Sequence, residues 1–400
     1  MTDHDYPSDG DLRVAPVRSR RDERLFLEIP FEIYRKDPFW VAPLLQEERK
    51  RWSPRHNASL ESRWVERFLA WRGSRVVGRV AAIEDPTFTS RWRPGAGFFG
   101  FFECEENSRT AHALFEAAEE ALRKRGLKEM LGPVHLSTHD EVGFLVEGFE
   151  RRPAMLTPYN PAYYLDLAQE NRLTPEAEFH AYLWTPESRP SKAVERLIAS
   201  LRRRSGYFSK LNLRRLRSAD WDDEMDRLFG LYNACFEDVW GFTPITRKEF
   251  AQRSEAFKPF HRPEGVLFAE VEGQVVGFAL VLPDINEVLG KMNGKLFPFG
   301  WLHLLRQVPR IQTARFLLMG VLPEFAGRGI APMLAVEMTR IGDDLGTREV
   351  ELSLVLGTNR RIQRVIEGMG CDRLKTYRLY GKELTATESP EVEDESRGGG

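Results

Sequence analysis

The order of apolar runs and turns constrains this chain most, because one succession of elements occurs twice. In "WVERFLAWRGSRVVGRVAAIED" (residues 64–85) two apolar runs flank "RGS", the mark of a β-hairpin. "GFFGFFECEE" then reads as a buried strand. "SRTAHALFEAAEEALRKRGL" reads as an amphipathic helix with Ser108 as N-cap and Gly126 as stop, and "KEMLGPVHLS" as another strand. Further along the order returns. "GVLFAEVEGQVVGFALVLPD" is a hairpin about "EGQ", "ARFLLMGVLP" a strand, "APMLAVEMTRIGDDLG" a helix closed by Gly346, "REVELSLVL" a strand and "NRRIQRVIEGMG" a second helix. The stripe Leu334, Met338, Ile341 and Leu345 has the spacing of a helix packed on a sheet, and Ile362, Val365, Ile366 and Met369 do the same for the last helix. The repeat lies in element order and not in residue identity. Two copies of one mixed α/β unit are expected.

A length of 400 residues exceeds one ordinary core, as two units require. The join is expected near Thr174–Pro190, in "TPEAEFHAYLWTPESRP". That gives a loose, charged start over residues 1–22, a first domain over 23–175, a second over 176–384, and a disordered acidic tail over 385–400. The apolar runs are far too short to span a bilayer, and the polar N-terminus is no signal peptide. A formal charge of −2 argues against broad nucleic-acid binding. Cys104, Cys235 and Cys371, odd in number and far apart, read as free thiols in a reducing, cytoplasmic compartment. The sequence sets no oligomeric state.

"GVLPEFAGRGIAPML" (residues 320–334) places Gly327, Gly329 and Ala331 at every second position, between an apolar run and an amphipathic helix. Pro332 suits a first helical turn, where its missing N–H would have had no partner. Amides from Gly327 through Arg328, Gly329 and Ile330 to Ala331 therefore converge at a helix N-terminus, an anion site that a diphosphate approaches only where side chains are absent. A Gly-rich turn entering a core helix would look the same.

The stretch resembles the coenzyme-A-binding motif of the GCN5-related N-acetyltransferase superfamily, (Q/R)-x-x-G-x-(G/A), often preceded by V-x-P; here it reads Ala326 to Ala331 behind Val321-Leu322-Pro323. The resemblance is good over residues 265–384, weaker over 211–263 and architectural over 24–170, where "GFFGFFE" and "YNPAYY" look like bacterial proteins with two such domains. It implies two tandem acyl-CoA N-acyltransferase-like domains, each a mostly antiparallel twisted sheet flanked by helices. It also implies acetyl-CoA or another acyl-CoA as co-substrate, held by the loop, by backbone groups around Met319, Gly320 and Val321, and by Asn359. Asn359 is equally a helix N-cap. Arg360, Arg361 and Arg364 could neutralise phosphates or form a solvated face.

Two positions depart from the family pattern. Ala326 stands for the leading Gln or Arg, and Ile366 for the tyrosine that often protonates the departing thiolate. Thiolate leaves without strict need of an acid, since a thiol has a pKa of about 8.5. Tyr377 in "KTYRLY" is a candidate substitute acid. Asp284 and Asn286 in "PDINEV" could deprotonate or orient an amine, although turn chemistry explains both. Trp240 and Phe242 in "FEDVWGFTPIT" could wall an acceptor pocket or simply pack beneath a loop.

The first copy lacks the glycines. "ECEENSRTAHAL" would present Glu103, Glu105 and Glu106 to a diphosphate, so this copy is expected to bind no coenzyme A and to shape the acceptor cleft instead. His135, His139, Asp140 and Glu141 read as hydrogen-bonded loop residues and not as metal ligands, because the His-x₃-His spacing needs a helix. The expected activity is transfer of an acetyl or longer acyl group to a small-molecule or peptide amine, with a non-catalytic acyl-CoA sensor as the alternative.

Overall fold

The computed structural model describes residues 12–203, 210–292, 294 and 300–384. The hairpin signals become β2 (Trp64–Arg72) with β3 (Arg75–Glu84), and β9 (Val266–Val271) with β10 (Gln274–Pro283). The strands that follow are β4 (Ala96–Cys104) and β11 (Thr313–Val321). Each continues through a helix, Ser108–Lys124 or Ile330–Asp344, into a parallel neighbour, β5 (Glu129–Gly132) or β12 (Glu349–Leu356). Outer strands β1 (Leu12–Pro16) and β8 (Leu211–Arg215) flank the two hairpins. The expected pair of mixed α/β units is therefore present.

What joins them is an exchange of strands. After the first unit, β7 (Thr174–Trp184) pairs antiparallel with β12, and after the second, β13 (Asp372–Glu383) pairs with β5 and with β6 (Phe144–Glu147). β7 and β13 pair with each other at the centre. Among the described residues one sheet of 13 strands results, in the order β1-β2-β3-β4-β5-β13-β7-β12-β11-β10-β9-β8 with β6 off this path beside β13. The order is symmetric about the β13–β7 pair. The boundary expected at 175/176 falls at the start of β7, and each unit is completed by the strand that follows the other.

Two local expectations need correction. The loose start does not extend to residue 22, because Leu12–Pro16 pairs with β2 and Ser19 caps the helix Arg20–Ile33 with a reciprocal Asp22 capping box. The N-cap of the helix Ser108–Lys124 is Asn107, whose side chain accepts from the Thr110 amide, and not Ser108. The acidic tail and residues 1–11 lie outside the described residues.

The faces of the second unit are covered differently. The helix Ile330–Asp344 buries Ile330, Leu334, Met338 and Ile341 against Leu267, Ala269, Val276 and Ala279. The helix Trp221–Phe236 lies on the opposite face with Leu228 and Leu231 against Val266, Phe268 and Phe278. The period of two assigns the sets along β9, and in β10 a bulge between Val275 and Gly277 puts Val276 on the face of Ala279. The helix Arg360–Gly368 shares the first face, with Ile366 beside Tyr182, Trp184 and Val350.

Because β13 carries Leu379 into the core of the first unit, beside Phe98 and Leu131, unfolding is expected as a single cooperative transition. Leu379→Ala should lower that transition by about 2–5 kcal/mol. Two calorimetric transitions, of which only one moves in the variant, would contradict the exchange.

Candidate active site

The parallel ladder between β11 and β12 runs from Thr313–Glu349 to Phe316–Leu352 and then stops, although both strands continue. Irregularities on both strands accompany the divergence. β11 carries an extra residue, Leu317, between its pairings with Val281 and Leu280, and β12 carries Ser353 and Leu354 between its pairings with Tyr182 and His180. Bulges add local twist and bend a strand, so the two strands part beyond Phe316. On that side the backbone groups of β11 from Leu317 to Val321 face a gap and not a strand.

A cavity of about 340 Å³ occupies the gap and is lined from both faces of the sheet. Under the helix Ile330–Asp344 its walls include Phe316, Met338, Leu352 and Ile366; on the other face they include Phe179, Phe236, Trp240 and Leu354. Met319 and Asn359 line it as well.

At the end of β11 the chain turns into the helix Ile330–Asp344. Gly327 and Gly329 hold φ of 76° and 90°, a left-handed backbone that a side chain would strain. Gly329 is the N-cap and gives no side-chain acceptor to the first turn, whose amides have none within the helix. In the first unit the corresponding helix is closed by Asn107. The uncapped N-terminus therefore belongs to the second unit. Arg361 reaches toward it, its Nη2 lying 3.8 Å from where a Cβ of Gly327 would stand, and Arg328 stacks over Phe325 at 5.0 Å.

Other residues singled out from sequence lie elsewhere or have other work. Gly320 is bare because a Cβ there would meet Cys235 at 2.7 Å, and Val321 packs in the core under Ile330. Asn359 caps its own helix, accepting from the Ile362 amide at 3.2 Å. Three candidates for catalysis are not among the residues that line the cavity. Tyr377 is fully buried with Leu145 and Ala181, and it is Phe179 and Leu354, packed against that cluster, that line the cavity. Asp284 accepts from the amides of Met155 (2.9 Å) and Asn286 (3.1 Å), and Asn286 donates to the Pro153 carbonyl at 3.0 Å. Both are committed to holding a loop of the first unit. Around them Arg315 donates to the Met155 carbonyl at 2.7 Å and Lys375 to that of Arg152 at 2.9 Å.

Sequence reasoning missed Ser353. It lines the cavity immediately past the last β11–β12 pair, donates to Glu351 at 2.9 Å and accepts from Arg315 Nε at 3.1 Å. A lone hydroxyl in the apolar strand "VELSLVL" was the available signal. The histidine loop of the first unit faces the second. His139 Nδ1 lies 2.7 Å from the Tyr232 hydroxyl and Nε2 2.7 Å from the Thr243 carbonyl, while Asp140 pairs with Arg253 at 2.9 Å. Phe242 is buried there, its carbonyl accepting from Trp92. Among the described residues no three His, Cys, Asp or Glu side chains converge to hold a metal, and no helix is long and apolar enough to cross a membrane.

Comparison with known proteins bears on this geometry. The family model described as "Acetyltransferase (GNAT) family" matches residues 225–370, the span that contains the gap and the glycine turn. A bacterial ceramide synthase of Caulobacter vibrioides (strain NA1000 / CB15N) is 34% identical over 389 residues, covering 94% of this chain and 99% of the relative. The chain belongs to the GNAT acetyltransferase family. Protein YghO of Escherichia coli K12 is 29% identical over 380 residues, covering 93% and 95% of the two chains. The fold is shared with a tandem GNAT protein from the clavulanic acid biosynthesis pathway, with a TM-score of 0.55 at 13% identity over 94% of this chain and all of that one. Membership in this GNAT family makes the protein an acyltransferase drawing on acyl-CoA.

Two outcomes are expected. Gly329→Glu puts a carboxylate at the uncapped N-terminus and should weaken coenzyme A binding roughly tenfold or more by calorimetry; equal affinity in both proteins would remove this turn from the site. The second concerns pH. Burial, with Arg253 adding to it, lowers His139 from 6.5 to about 4. The unfolded chain then binds the extra proton between these values, so stability falls as pH drops from about 6.5 toward 4, by on the order of 3 kcal/mol from this group. Melting curves of His139→Gln should show a shallower decline across that window than wild type; parallel curves would refute the assignment.

Proposed function

We propose that the protein N-acylates an amine bearing a long apolar chain, with a fatty acyl group taken from coenzyme A. The observation that carries this reading is the cavity, whose walls are mostly apolar on both faces of the sheet and which is continuous through the gap between β11 and β12. An acetyl group and a small polar amine would leave most of that surface without contact, whereas two chains meeting at the gap would cover it. The relative named as a bacterial ceramide synthase supports the reading, since a ceramide is the amide of a fatty acid and a long-chain base. The reading carries a cytoplasmic location with it, where acyl-CoA is made.

In this proposal the amides from Gly327 to Ala331 receive the diphosphate, with the cations of Arg328 and Arg361 beside them. The pantetheine arm lies along the free edge of β11 from Val321 back toward Leu317, using backbone groups that the departure of β12 leaves without a ladder. The thioester then sits at the vertex of the gap, near Leu317 and Ser353. There an unpaired amide can take the carbonyl oxygen as it gains charge. The neutral amine attacks the carbonyl carbon, the C–N bond forms, the C–S bond breaks, the amine nitrogen loses a proton to water and the thiolate gains one. Ile366 stands where the family often has a tyrosine, which agrees with a thiolate that leaves unassisted. Ser353, held between Arg315 and Glu351, fixes a hydroxyl at the vertex.

Incubation with palmitoyl-CoA and a sphingoid-type amine should release free thiol and yield the amide. Acetyl-CoA should be poorer by about tenfold or more in kcat/KM. Acyl-CoA binding without thiol release across a panel of amines would favour a sensor and end the proposal.

A further inference from the structure

The cavity has two arms, and they differ in how they end. Resting on the reading above, we infer that the arm beneath the helix Ile330–Asp344 takes the acyl chain, that the arm on the other face takes the acceptor, and that Gly342 with Trp184 sets the acyl length.

The diphosphate turn opens the helix Ile330–Asp344, so acyl-CoA approaches on that helix's side of the sheet. Its pantetheine runs down the gap to the vertex, where the β11–β12 ladder closes at Phe316–Leu352. A chain extending past the thioester can no longer lie between the strands and has to pass along one face. On the helix side the wall beyond the vertex is mainly apolar, with Thr339 and Thr347 among it, continuing from Phe316 and Leu352 past Met338 and Ile366 to Gly342 and Trp184. On the other face the vertex carries Ser353 and its buried partners Arg315 and Glu351, a polar setting suited to the amine end of an acceptor whose tail then meets Phe236 and Trp240. Amine and acyl carbonyl thus meet from opposite sides of the sheet.

Gly342 is unusual for its place. It lies inside a regular helix, where glycine costs about 1 kcal/mol relative to alanine, and its φ is not among the positive ones that would call for glycine. What its bareness provides is close approach: a Cβ there would stand 3.4 Å from Trp184 Cη2 and 3.5 Å from Cζ3, so glycine and indole lie against each other and close this end of the arm. Anything longer would occupy the arm itself.

Affinity and kcat/KM are to be measured over a series of saturated acyl-CoAs from acetyl to stearoyl, for wild type, Gly342→Ala, Gly342→Leu and Trp184→Phe. In wild type, affinity should rise with chain length. Gly342→Leu should cost the longest accepted chains about tenfold or more in both quantities while short chains change less than about twofold. Gly342→Ala, which favours the helix, should move the profile the same way by less, and Trp184→Phe should move it toward longer chains. A length profile unchanged in the Gly342 variants, or a loss equal at every length, overturns the inference while leaving the transferase reading intact. Length-dependent binding that Gly342→Leu truncates, without turnover on any amine, supports the acyl arm and overturns the proposed reaction alone. No affinity for any acyl-CoA overturns both.

Discussion

Everything at the candidate site depends on a hydrogen-bond ladder that stops early. β11 and β12 are bonded from Thr313–Glu349 to Phe316–Leu352 and no further, and each has a bulge where the pairing fails, at Leu317 and at Ser353–Leu354. A regular pair would bury its backbone groups in the sheet and leave no opening. Because twist accumulates at bulges, the strands separate and unpaired backbone lines an otherwise apolar cavity. The glycine turn stands at the end of the diverging β11, so an uncapped helix N-terminus and a free strand edge follow each other along the same few residues.

The second constraint is what holds the gap in shape. β12 is pinned on its far side by β7, a strand that follows the first unit, and β13 returns the exchange. Beneath the vertex lies a buried polar layer: Arg315 between Ser353 and the Met155 carbonyl, Lys375 paired with Glu351 at 2.8 Å, and Asp284 on the Met155 amide. Each of these groups is stable in the interior only because it is paired, since an unpartnered buried charge costs several kcal/mol. The first unit therefore acts on the site without contributing a phosphate loop. Its own helix N-terminus is filled by Asn107, and its Glu105 carboxylate is paired with Arg72 at 2.8 Å.

Every residue that lines the cavity lies on β7 or in the second unit, and the first unit supports the site from behind. Phe179 and Trp184 come from the exchanged β7, and Trp240 packs against the core of the first unit. The catalytic roles considered for Asp284, Asn286 and Tyr377 rested on their positions along the chain. A turn carboxylate and amide became the clasp between units, and a tyrosine beyond the last helix entered a strand whose inward side is core.

By itself the sequence determined what is local: both hairpins, the helix stripes such as Leu334, Met338 and Ile341, and the glycine turn, since period, caps and positive φ are encoded within a few residues. Only the tertiary structure decided that β7 and β13 change places, that the β11–β12 ladder ends at Phe316, and that Ser353 and Gly342 face the cavity. These depend on pairings between residues far apart in the chain. The energy of such pairings comes from strand registry and shared burial, which no short window of sequence contains.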